Sequence, residues 1–307
     1  MTRRGRLKGR MTRRRRLKGK NVKVLQFTHG YGIISLKQAK GRKDMKYVLV
    51  TGAYGGMGYA TVKALAGQGY TVFALDKRVQ EGESGIIPIE ADVTDEESLK
   101  NALKIVESVT DELFAVLHFA GVYMLDSLLE MDSEEFDRIF KINLYGAFYV
   151  NKLFLPLLKR GSRILITTSE LAPLDPLPFT GIYAVTKGAL DKYAYSLRME
   201  AQLLGVGVSV LRAGAVSTGM LGVSTAALDR FCEKTALYQC NAERFKRVVN
   251  GVEAKCVPPS KIAKKTLKIL GKKNPRFAYS LNRNKLLLLL NALPKRLQCF
   301  AIRKILK

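Results

Sequence analysis

The sequence predicts an α/β fold in which a doubly wound parallel sheet of seven strands forms a single domain. Two observations support this class. Short apolar runs of strand length alternate with helical patterns along the chain, and a glycine-rich turn joins the first strand to the first helix. A length of 307 residues allows one or two domains, but alternating strands and helices of this kind wind into one sheet.

The apolar runs and the turn residues between them define the predicted elements. Strands are expected at 47–51, 71–75, 86–90, 114–119, 163–168, 207–212 and 276–280. Helices are expected at 56–68, 95–108, 133–159, 181–204, 224–250 and 260–271. A sheet with such crossovers binds its ligands at the carboxyl ends of the strands.

The turn after the first strand predicts a phosphate site. It has the spacing Thr-Gly-x-x-x-Gly-x-Gly, with glycines at Gly52, Gly56 and Gly58 around Met57. Glycines let the backbone approach a pyrophosphate, and the N-terminus of the following helix presents unpaired N–H groups.

A second group of residues predicts acid/base chemistry. Tyr183 and Lys187 are four residues apart within a predicted helix, so their side chains face the same way. A cation held close to a tyrosine favours the phenolate and lowers the pKa of the phenol. Ser169 follows a predicted strand and brings a hydroxyl to the same edge of the sheet.

These motifs, in this order, resemble those of the short-chain dehydrogenase/reductase family, and the resemblance covers residues 46 to 280. It implies a Rossmann-type fold and hydride transfer between a nicotinamide and a secondary alcohol or ketone. By the same resemblance, Tyr183 transfers the proton, Ser169 hydrogen-bonds the substrate oxygen, and Lys187 holds the nicotinamide ribose and tunes Tyr183. Asn143 bends a central helix and holds a water in a proton relay. Ser169 precedes Tyr183 by 183 − 169 = 14 positions, so Thr168 is a weaker candidate for the serine's role.

The resemblance also implies the residues that contact the cofactor. Asp76 ends the second strand, where an acidic residue hydrogen-bonds the adenosine ribose. Beyond the glycine turn and the Tyr183–Lys187 pair, the implied contacts are Asp92, Val93, Ala120, Gly121, Gly214, Val216 and Thr218. Asp76 favours NAD(H), because it repels a 2′-phosphate, although Lys77 and Arg78 are placed to bind the phosphate of NADP(H).

Two positions depart from the family pattern. His118-Phe119-Ala120-Gly121 stands where the family has Asn-Asn-Ala-Gly, and Ala213 replaces the proline of its Pro-Gly pair. Neither position carries chemistry, so we expect altered stability more than lost activity.

The positive charge of the chain lies at its two ends. Residues 1–46 carry 17 Lys/Arg and one acid, and residues 254–307 carry 15 Lys/Arg and none. The middle therefore has 52 − 17 − 15 = 20 basic and 26 − 1 = 25 acidic residues, close to neutrality. Net charge thus describes the termini and not the catalytic body.

The basic leader, residues 1–45, is predicted to be disordered, because a dense like-charge run with few apolar residues cannot form a core. It contains no apolar stretch typical of a secretory signal. We interpret the leader as the result of a start site assigned too far upstream, with Met45 as the functional beginning of the protein. The alternative is a nucleic-acid-binding arm.

The C-terminal segment, residues 284–307, combines positive charge with apolar residues. Five leucines at 286–290 are far too few to span a membrane. After Pro294, a helix with apolar positions Leu297, Phe300, Ala301, Ile302, Ile305 and Leu306 is predicted to lie in a membrane interface. The alternative is that the leucines close the substrate pocket or form a dimer contact, and both can hold at once.

The remaining features set the expected environment. Four cysteines, Cys232, Cys240, Cys256 and Cys299, fit a reducing cytoplasm, and neither they nor the two histidines have the spacing of a metal site. We expect a cytoplasmic homo-oligomer, with contact to the cytoplasmic face of a membrane, and a small lipophilic alcohol or ketone as substrate. Two alternatives remain: a cofactor-sensing regulator on the same fold, and a nucleic-acid-associated protein that uses its basic ends.

Overall fold

The computed structural model describes residues 45–253 and 255–307, with backbone alone for 220–225 and 252–253. The described residues form a seven-stranded sheet with helices on both faces. The strands are β1 (Tyr47–Thr51), β2 (Thr71–Asp76), β3 (Ile86–Glu90), β4 (Leu113–His118), β5 (Leu158–Ser169), β6 (Gly207–Ala213) and β7 (Ala278–Leu281). The helices are α1 (Gly56–Ala66), α2 (Glu96–Val109), α3 (Ser133–Phe140), α4 (Gly146–Phe154), α5 (Gly181–Ala201), α6 (Gly219–Lys234), α7 (Gln239–Glu253), α8 (Pro259–Leu270), α9 (Lys285–Ala292) and α10 (Lys295–Leu306).

The strand order is β3-β2-β1-β4-β5-β6-β7, and every pairing between these strands is parallel. The predicted doubly wound parallel sheet is therefore confirmed. The order reverses between β1 and β4, and the last residues of both, Thr51 and His118, lie opposite each other. Such a reversal opens a crevice at the carboxyl ends of the strands.

Two apolar layers enclose the sheet, because side chains alternate along each strand. On β1, Val48 and Val50 pack with α1 and α8, whereas Leu49 packs with α2, α4 and α5 on the other face. A third cluster joins α6, α7 and α10 to Leu125 and Phe179 near the carboxyl ends of the strands. The first two layers hold the sheet, and the third covers its crevice.

The helix predicted over 133–159 is divided into α3, a wider π-helical turn at Lys141–Tyr145, and α4, and it ends before β5 begins at Leu158. The π turn contains Asn143, whose side chain bonds both backbone groups of Val122: its oxygen accepts from the amide N at 2.8 Å and its nitrogen donates to the carbonyl at 3.0 Å. The bend expected at Asn143 is therefore present as a π turn, whereas the predicted end of the helix at 159 was wrong, because β5 begins at Leu158.

The helix predicted over 224–250 is also two helices, α6 and α7. At the break, the Glu130 carboxylate accepts the amide N–H of Ala236 at 2.8 Å and of Leu237 at 3.1 Å, and the Thr235 hydroxyl at 2.6 Å. These are groups that a continuous helix would pair internally. A residue more than a hundred positions away thus stabilises the interruption.

The leucine run forms α9, a helix that was not among those predicted. Asn284 begins it, since its side-chain oxygen accepts from the amide of Leu286 at 2.9 Å. The helix expected after Pro294 is present as α10. None of the helices in the described ranges has both the length and the apolar character needed to cross a membrane. The predicted leader lies outside the described residues, apart from Met45.

A buried ion pair joins three of the elements that end in the crevice. Arg212 on β6 bonds the Asp191 carboxylate of α5 through Nε at 3.0 Å and Nη2 at 2.7 Å. The Thr168 hydroxyl of β5 donates to the same carboxylate at 3.2 Å. A two-point guanidinium contact of this kind fixes distance and orientation together.

We predict that Asp191→Ala lowers the free energy of unfolding by about 3 kcal/mol, because it leaves Arg212 with an uncompensated, mostly buried charge. The control is Lys100→Ala, which removes the exposed Lys100–Glu97 pair and should have little effect. Denaturant unfolding followed by circular dichroism measures both changes. Equal stability of the Asp191→Ala variant and the parent chain would contradict the assigned importance of the ion pair.

Candidate active site

The carboxyl ends of the strands open into a long cleft and a smaller cavity that share part of their walls. The cleft has a volume of about 1110 Å³ and the cavity about 190 Å³. Met57, Tyr123 and Thr218 line both. The two spaces therefore meet at these residues.

Most of the residues predicted to contact a cofactor or substrate line one of these spaces. The cleft is lined by Gly52, Gly56, Met57, Gly58, Asp76, Asp92, Val93, Ala120, Gly121 and Thr218. The cavity is lined by Thr168, Ser169, Tyr183, Gly214 and Val216. Asn143 and Lys187 lie behind these walls, and both are buried.

The glycine turn is shaped by close backbone approach. Gly52 has a φ of +64°, and a β-carbon there would lie 2.5 Å from the amide nitrogen of Ala120. A β-carbon on Gly58 would lie 2.0 Å from the carbonyl oxygen of Gly52. The residue that begins α1, Gly55, has no side chain to cap the first amides of the helix, and it lines the cleft. This geometry fits a pyrophosphate.

Asp76 lies at the far end of the cleft. Its Oδ2 accepts the amide N–H of Tyr54 at 2.9 Å, and its Oδ1 accepts that of Lys77 at 2.8 Å. The Lys77 ammonium lies 2.8 Å from Asp92 Oδ2. Lys77 and Arg78 both line the cleft, and Lys77 is engaged by a carboxylate in this structure.

Asp92 is held by its own turn as well as by Lys77. Its Oδ1 accepts from the backbone and the hydroxyl of Thr94, at 2.9 and 2.8 Å. Burial alone would raise the pKa of Asp92, but the bonds from Lys77 and Thr94 outweigh burial, and the pKa is lowered. Asp92 is therefore an ionised part of the cleft wall at neutral pH.

Ser169, at the end of β5, and Tyr183, in the first turn of α5, meet in the smaller cavity. Burial raises the pKa of Tyr183 to about 12, although a hydrogen bond with Ser169 opposes the shift. Tyr123 packs edge-on against the Tyr183 ring, with centroids 4.7 Å apart. The phenol is therefore protonated at neutral pH, and its ring contacts Tyr123, which lines both cleft and cavity.

Lys187 is one helical turn beyond Tyr183, with its ammonium 5.9 Å from the centre of the Tyr183 ring. The ammonium donates to the carbonyl of Thr167 at 3.4 Å, and burial lowers the pKa of Lys187 to about 8. The expected lowering of the Tyr183 pKa by Lys187 does not appear here. Burial controls both groups and favours the neutral form of each.

Asn143 links neighbouring parts of the site through hydrogen bonds. Besides its two bonds to Val122, its side-chain nitrogen donates to the Thr186 hydroxyl at 3.1 Å. A β-carbon on Gly121 would lie 3.2 Å from Asn143 Oδ1 and 3.1 Å from the Lys187 ammonium nitrogen. Gly121 thus brings the backbone after β4 against both residues. The role of Asn143 in a water relay stays a prediction.

The two departures from the family pattern are structural. The His118 ring is buried and bonds Asn151 Oδ1 at 2.9 Å, and Asn151 donates to the Tyr193 hydroxyl at 3.1 Å. Burial lowers the pKa of His118 to about 4, so this imidazole is neutral and braces β4 against α4 and α5. Ala213 is the last residue of β6, and its carbonyl accepts the Glu170 amide at 2.9 Å.

The C-terminal segment closes one side of the cavity. Leu287 of α9 lines it together with Phe245, Val248 and Val249 of α7. Asp175, in the loop after β5, accepts from Asn291 at 2.7 Å and Gln298 at 3.2 Å and pairs with Lys295. The bond from Lys295, followed by that from Gln298, lowers the pKa of Asp175. The interpretation of the leucines as a pocket wall therefore has direct geometric support.

The apolar positions predicted on α10 fall into two sets. Ile302 and Leu306 pack in the cluster formed with α6 and α7. Leu297, Phe300 and Ile305 are more than half exposed, as are Leu286 and Leu289 of α9. A single helix thus carries both a face packed on the domain and apolar side chains in contact with solvent.

Sequence reasoning missed several residues of the site. Glu170 and Tyr123 line the cavity, and Asp191 and Arg212 hold its supporting elements together. Asp191 is four residues after Lys187 on α5, a spacing that places both on one face of the helix. No local signal identifies Glu170, because its partner is Asn284, far along the chain.

Within the described ranges, no group of three or more His, Cys, Asp or Glu side chains is arranged to hold a metal ion. The four cysteines are free thiols.

Comparison with known proteins identifies the family. The family model for short chain dehydrogenases matches residues 46–229. Estradiol 17-beta-dehydrogenase 2 of Mus musculus is 35% identical over 193 residues, which is 58% of this chain and 50% of that enzyme. The NADPH-dependent 1-acyldihydroxyacetone phosphate reductase of Schizosaccharomyces pombe is 29% identical over 179 residues, 56% of this chain and 60% of that enzyme. The chain thus matches about half the length of these curated relatives.

Solved structures agree on the fold. The 3-ketoacyl-(acyl-carrier-protein) reductase of Brucella melitensis, in complex with NADH, has a TM-score of 0.63 at 19% identity, covering 77% of this chain and 96% of the reductase. The match of the family model over more than half of the chain, on a sheet of this topology, shows that the chain belongs to the short-chain dehydrogenase family.

Proposed function

We propose that the protein is a nicotinamide-dependent oxidoreductase that interconverts a lipophilic secondary alcohol and the corresponding ketone. The observation that carries the proposal is the position of Ser169 and Tyr183 in an apolar cavity that opens into a cleft shaped for a dinucleotide. We assign catalysis to residues 46–283, and the C-terminal segment contributes a wall of the cavity.

The cleft residues fit a nicotinamide dinucleotide. The glycine turn would hold the pyrophosphate, Asp76 the adenosine ribose, and Asp92 and Val93 would border the adenine. Ala120 and Gly121 would cover it, while Gly214, Val216 and Thr218 would border the nicotinamide. A bound nicotinamide supplies or accepts the hydride.

Side chains of the protein transfer the proton of the reaction. In the reduction, Tyr183 donates its phenolic proton to the substrate oxygen as that oxygen gains charge, and in the oxidation it takes the proton back. Ser169 donates a hydrogen bond to the same oxygen and orients it. Lys187 would hold the nicotinamide ribose, and its positive charge would stabilise the phenolate that forms. Asn143 keeps the loop after β4 in place beside them.

The cavity wall supports a lipophilic substrate. Its apolar side chains include Leu171, Leu177, Val216, Phe245, Val248, Val249 and Leu287. Apolar surface of this extent favours a hydrocarbon ligand with few polar groups. A cofactor-sensing regulator would not need Ser169, Tyr183 and Lys187 together, so we favour an enzyme. The nucleic-acid alternative would use both basic ends of the chain, of which the leader lies outside the described residues apart from Met45.

We predict that Tyr183→Phe lowers turnover by about 10² to 10⁴, because it removes the titrating oxygen and keeps the ring. Cofactor affinity, measured by quenching of tyrosine fluorescence or by calorimetry, should change little. Absorbance of the reduced nicotinamide measures turnover with steroid, retinoid and long-chain ketone substrates. The control is Tyr193→Phe, which removes a hydroxyl from the same helix outside the cavity. Near-normal turnover of the Tyr183→Phe variant would refute the assignment of the active site.

We predict a preference for NAD(H) over NADP(H), because the Asp76 carboxylate would repel a 2′-phosphate and Lys77 is engaged by Asp92. Asp76→Ala should shift the ratio of kcat/KM towards NADP(H) by at least about tenfold, the equivalent of one lost charge contact. Arg78→Ala is the matched variant: it should leave the use of NAD(H) unchanged. A clear advantage of NADPH with the parent protein would contradict the assignment of Asp76 as the residue that selects the cofactor.

We further propose that the protein resides in the cytoplasm and binds reversibly to anionic membrane surfaces through α9 and α10. Residues 254–307 carry 15 Lys/Arg and no acid, and exposed apolar side chains lie among them. Each Lys or Arg near an anionic surface adds about 1 kcal/mol of attraction, and inserted apolar side chains add to it.

Homo-oligomerisation stays a prediction. Phe148 on α4 and Tyr195 on α5 are exposed and are candidate contacts between subunits.

We predict that the double substitution Leu289→Ser and Phe300→Ser reduces sedimentation with vesicles of anionic lipid severalfold, because these side chains are 64% and 55% exposed. The control is Leu203→Ser, which replaces an 83% exposed leucine outside the C-terminal segment. High salt should weaken binding of all three proteins. Equal sedimentation of the double variant and the parent would leave α9 and α10 as a pocket wall only.

A further inference from the structure

Glu170 is an acid in the wall of an otherwise largely apolar cavity. It follows Ser169 directly in the chain, and both side chains line the cavity together with Tyr183. The Glu170 carboxylate and a substrate oxygen held by Ser169 and Tyr183 would therefore share one small space. The proposed reaction gives Glu170 no role.

The Glu170 carboxylate is only partly satisfied. The side chain is 8% exposed, and its Oε2 accepts the backbone N–H of Asn284 at 2.6 Å. Among the described residues, no side chain or backbone group donates a hydrogen bond to its other oxygen, Oε1. Burial raises the pKa of Glu170, while Asn284 and the charge of Arg283 oppose the shift.

Holding the amide of Asn284 does not require an acid. A neutral glutamine would accept the same N–H without the cost of placing a charge in a mostly apolar wall. The second oxygen is therefore an acceptor that a ligand can use. Of the other hydroxyls in the wall, Thr168 donates to Asp191 and Thr180 donates to the carbonyl of Leu177, so both are already engaged.

We propose that Glu170 recognises a hydrogen-bond donor on the substrate, a hydroxyl or a protonated amine one or two carbons from the reacting carbon. The substrate is then an amphiphile with a hydrocarbon body and two neighbouring polar groups, one of which is oxidised or reduced. This inference rests on the proposed function, since it takes the cavity as the substrate site. It makes Glu170 a specificity-determining residue for that reaction.

The test is a set of ten-carbon secondary alcohols that differ at one position. The members are the parent alcohol, the diol, the amino alcohol and the methyl ether, with the second group on the next carbon or on the one after it. Affinity is measured by calorimetry with the full chain and oxidised cofactor, and turnover by absorbance of the reduced cofactor. The ether is the key control, because it has nearly the shape of the diol but no donor.

We expect the full chain to bind the diol or the amino alcohol about tenfold to a hundredfold more tightly than the ether, the range for a hydrogen bond to a charged group. Glu170→Gln should remove most of this preference, because its amide can hold Asn284 through oxygen and turn a donor into the cavity. The parent alcohol should bind both proteins equally. The hydroxyl and amine members show which donor is preferred.

The matched control is Glu107→Gln, which makes the same change at an exposed acid of α2 that lines neither the cavity nor the cleft. It should leave the ratio of diol to ether affinity unchanged. Equal binding of ether and donor-bearing alcohols by the parent chain, or failure to bind any member, would overturn the proposal even if the Glu170→Gln variant does not fold. Binding with the expected preference but no hydride transfer would instead contradict the proposed function.

Discussion

The ion pair between Asp191 and Arg212 is the contact on which the geometry of the site depends. It joins α5, which carries Tyr183 and Lys187, to β6, which leads into Gly214. The Thr168 hydroxyl adds β5 and therefore Ser169 to the same carboxylate. A carboxylate that accepts three hydrogen bonds in a partly buried setting tolerates little displacement, so the groups of the site keep one arrangement.

Acids of the domain hold the C-terminal segment against the cavity. The segment itself has no acid, and two residues of the loop after β5 provide its partners: Glu170 accepts the amide of Asn284, and Asp175 pairs with Lys295. Leu287 thereby becomes part of the cavity wall while Leu289 remains exposed. α9 and α10 therefore contribute both to the wall of the substrate pocket and to the surface that is proposed to bind a membrane.

Patterns within short stretches of sequence predicted most of the fold. Most strands of the sheet contain a buried apolar run, and the predicted strands overlap all seven observed ones. The missed break before α7 depends on a distant contact, because Glu130 stabilises it from 106 positions away. The leucine run was not assigned as a helix, although Asn284 in front of it is a common N-cap.

Most of the candidate site, like most of the fold, could be predicted from patterns within short stretches of sequence. Ser169, Tyr183 and the glycine turn belong to motifs with fixed spacing, and the structure places them around connected spaces. Glu170 and Tyr123 carry no such spacing, since only the folded chain brings them to the cavity. The pKa values of Tyr183 and Lys187 were also beyond prediction, because they follow from burial and not from the distance between the two residues along the helix.

The central claim is that cleft and cavity form one reaction site that meets at Met57, Tyr123 and Thr218. A crystal structure of the protein with reduced nicotinamide dinucleotide tests it most directly. The account predicts the pyrophosphate at the glycine turn and the nicotinamide ring at the junction, with its hydride-bearing face towards Tyr183. A nicotinamide ring that lies outside the junction, or faces away from Tyr183, would contradict the account.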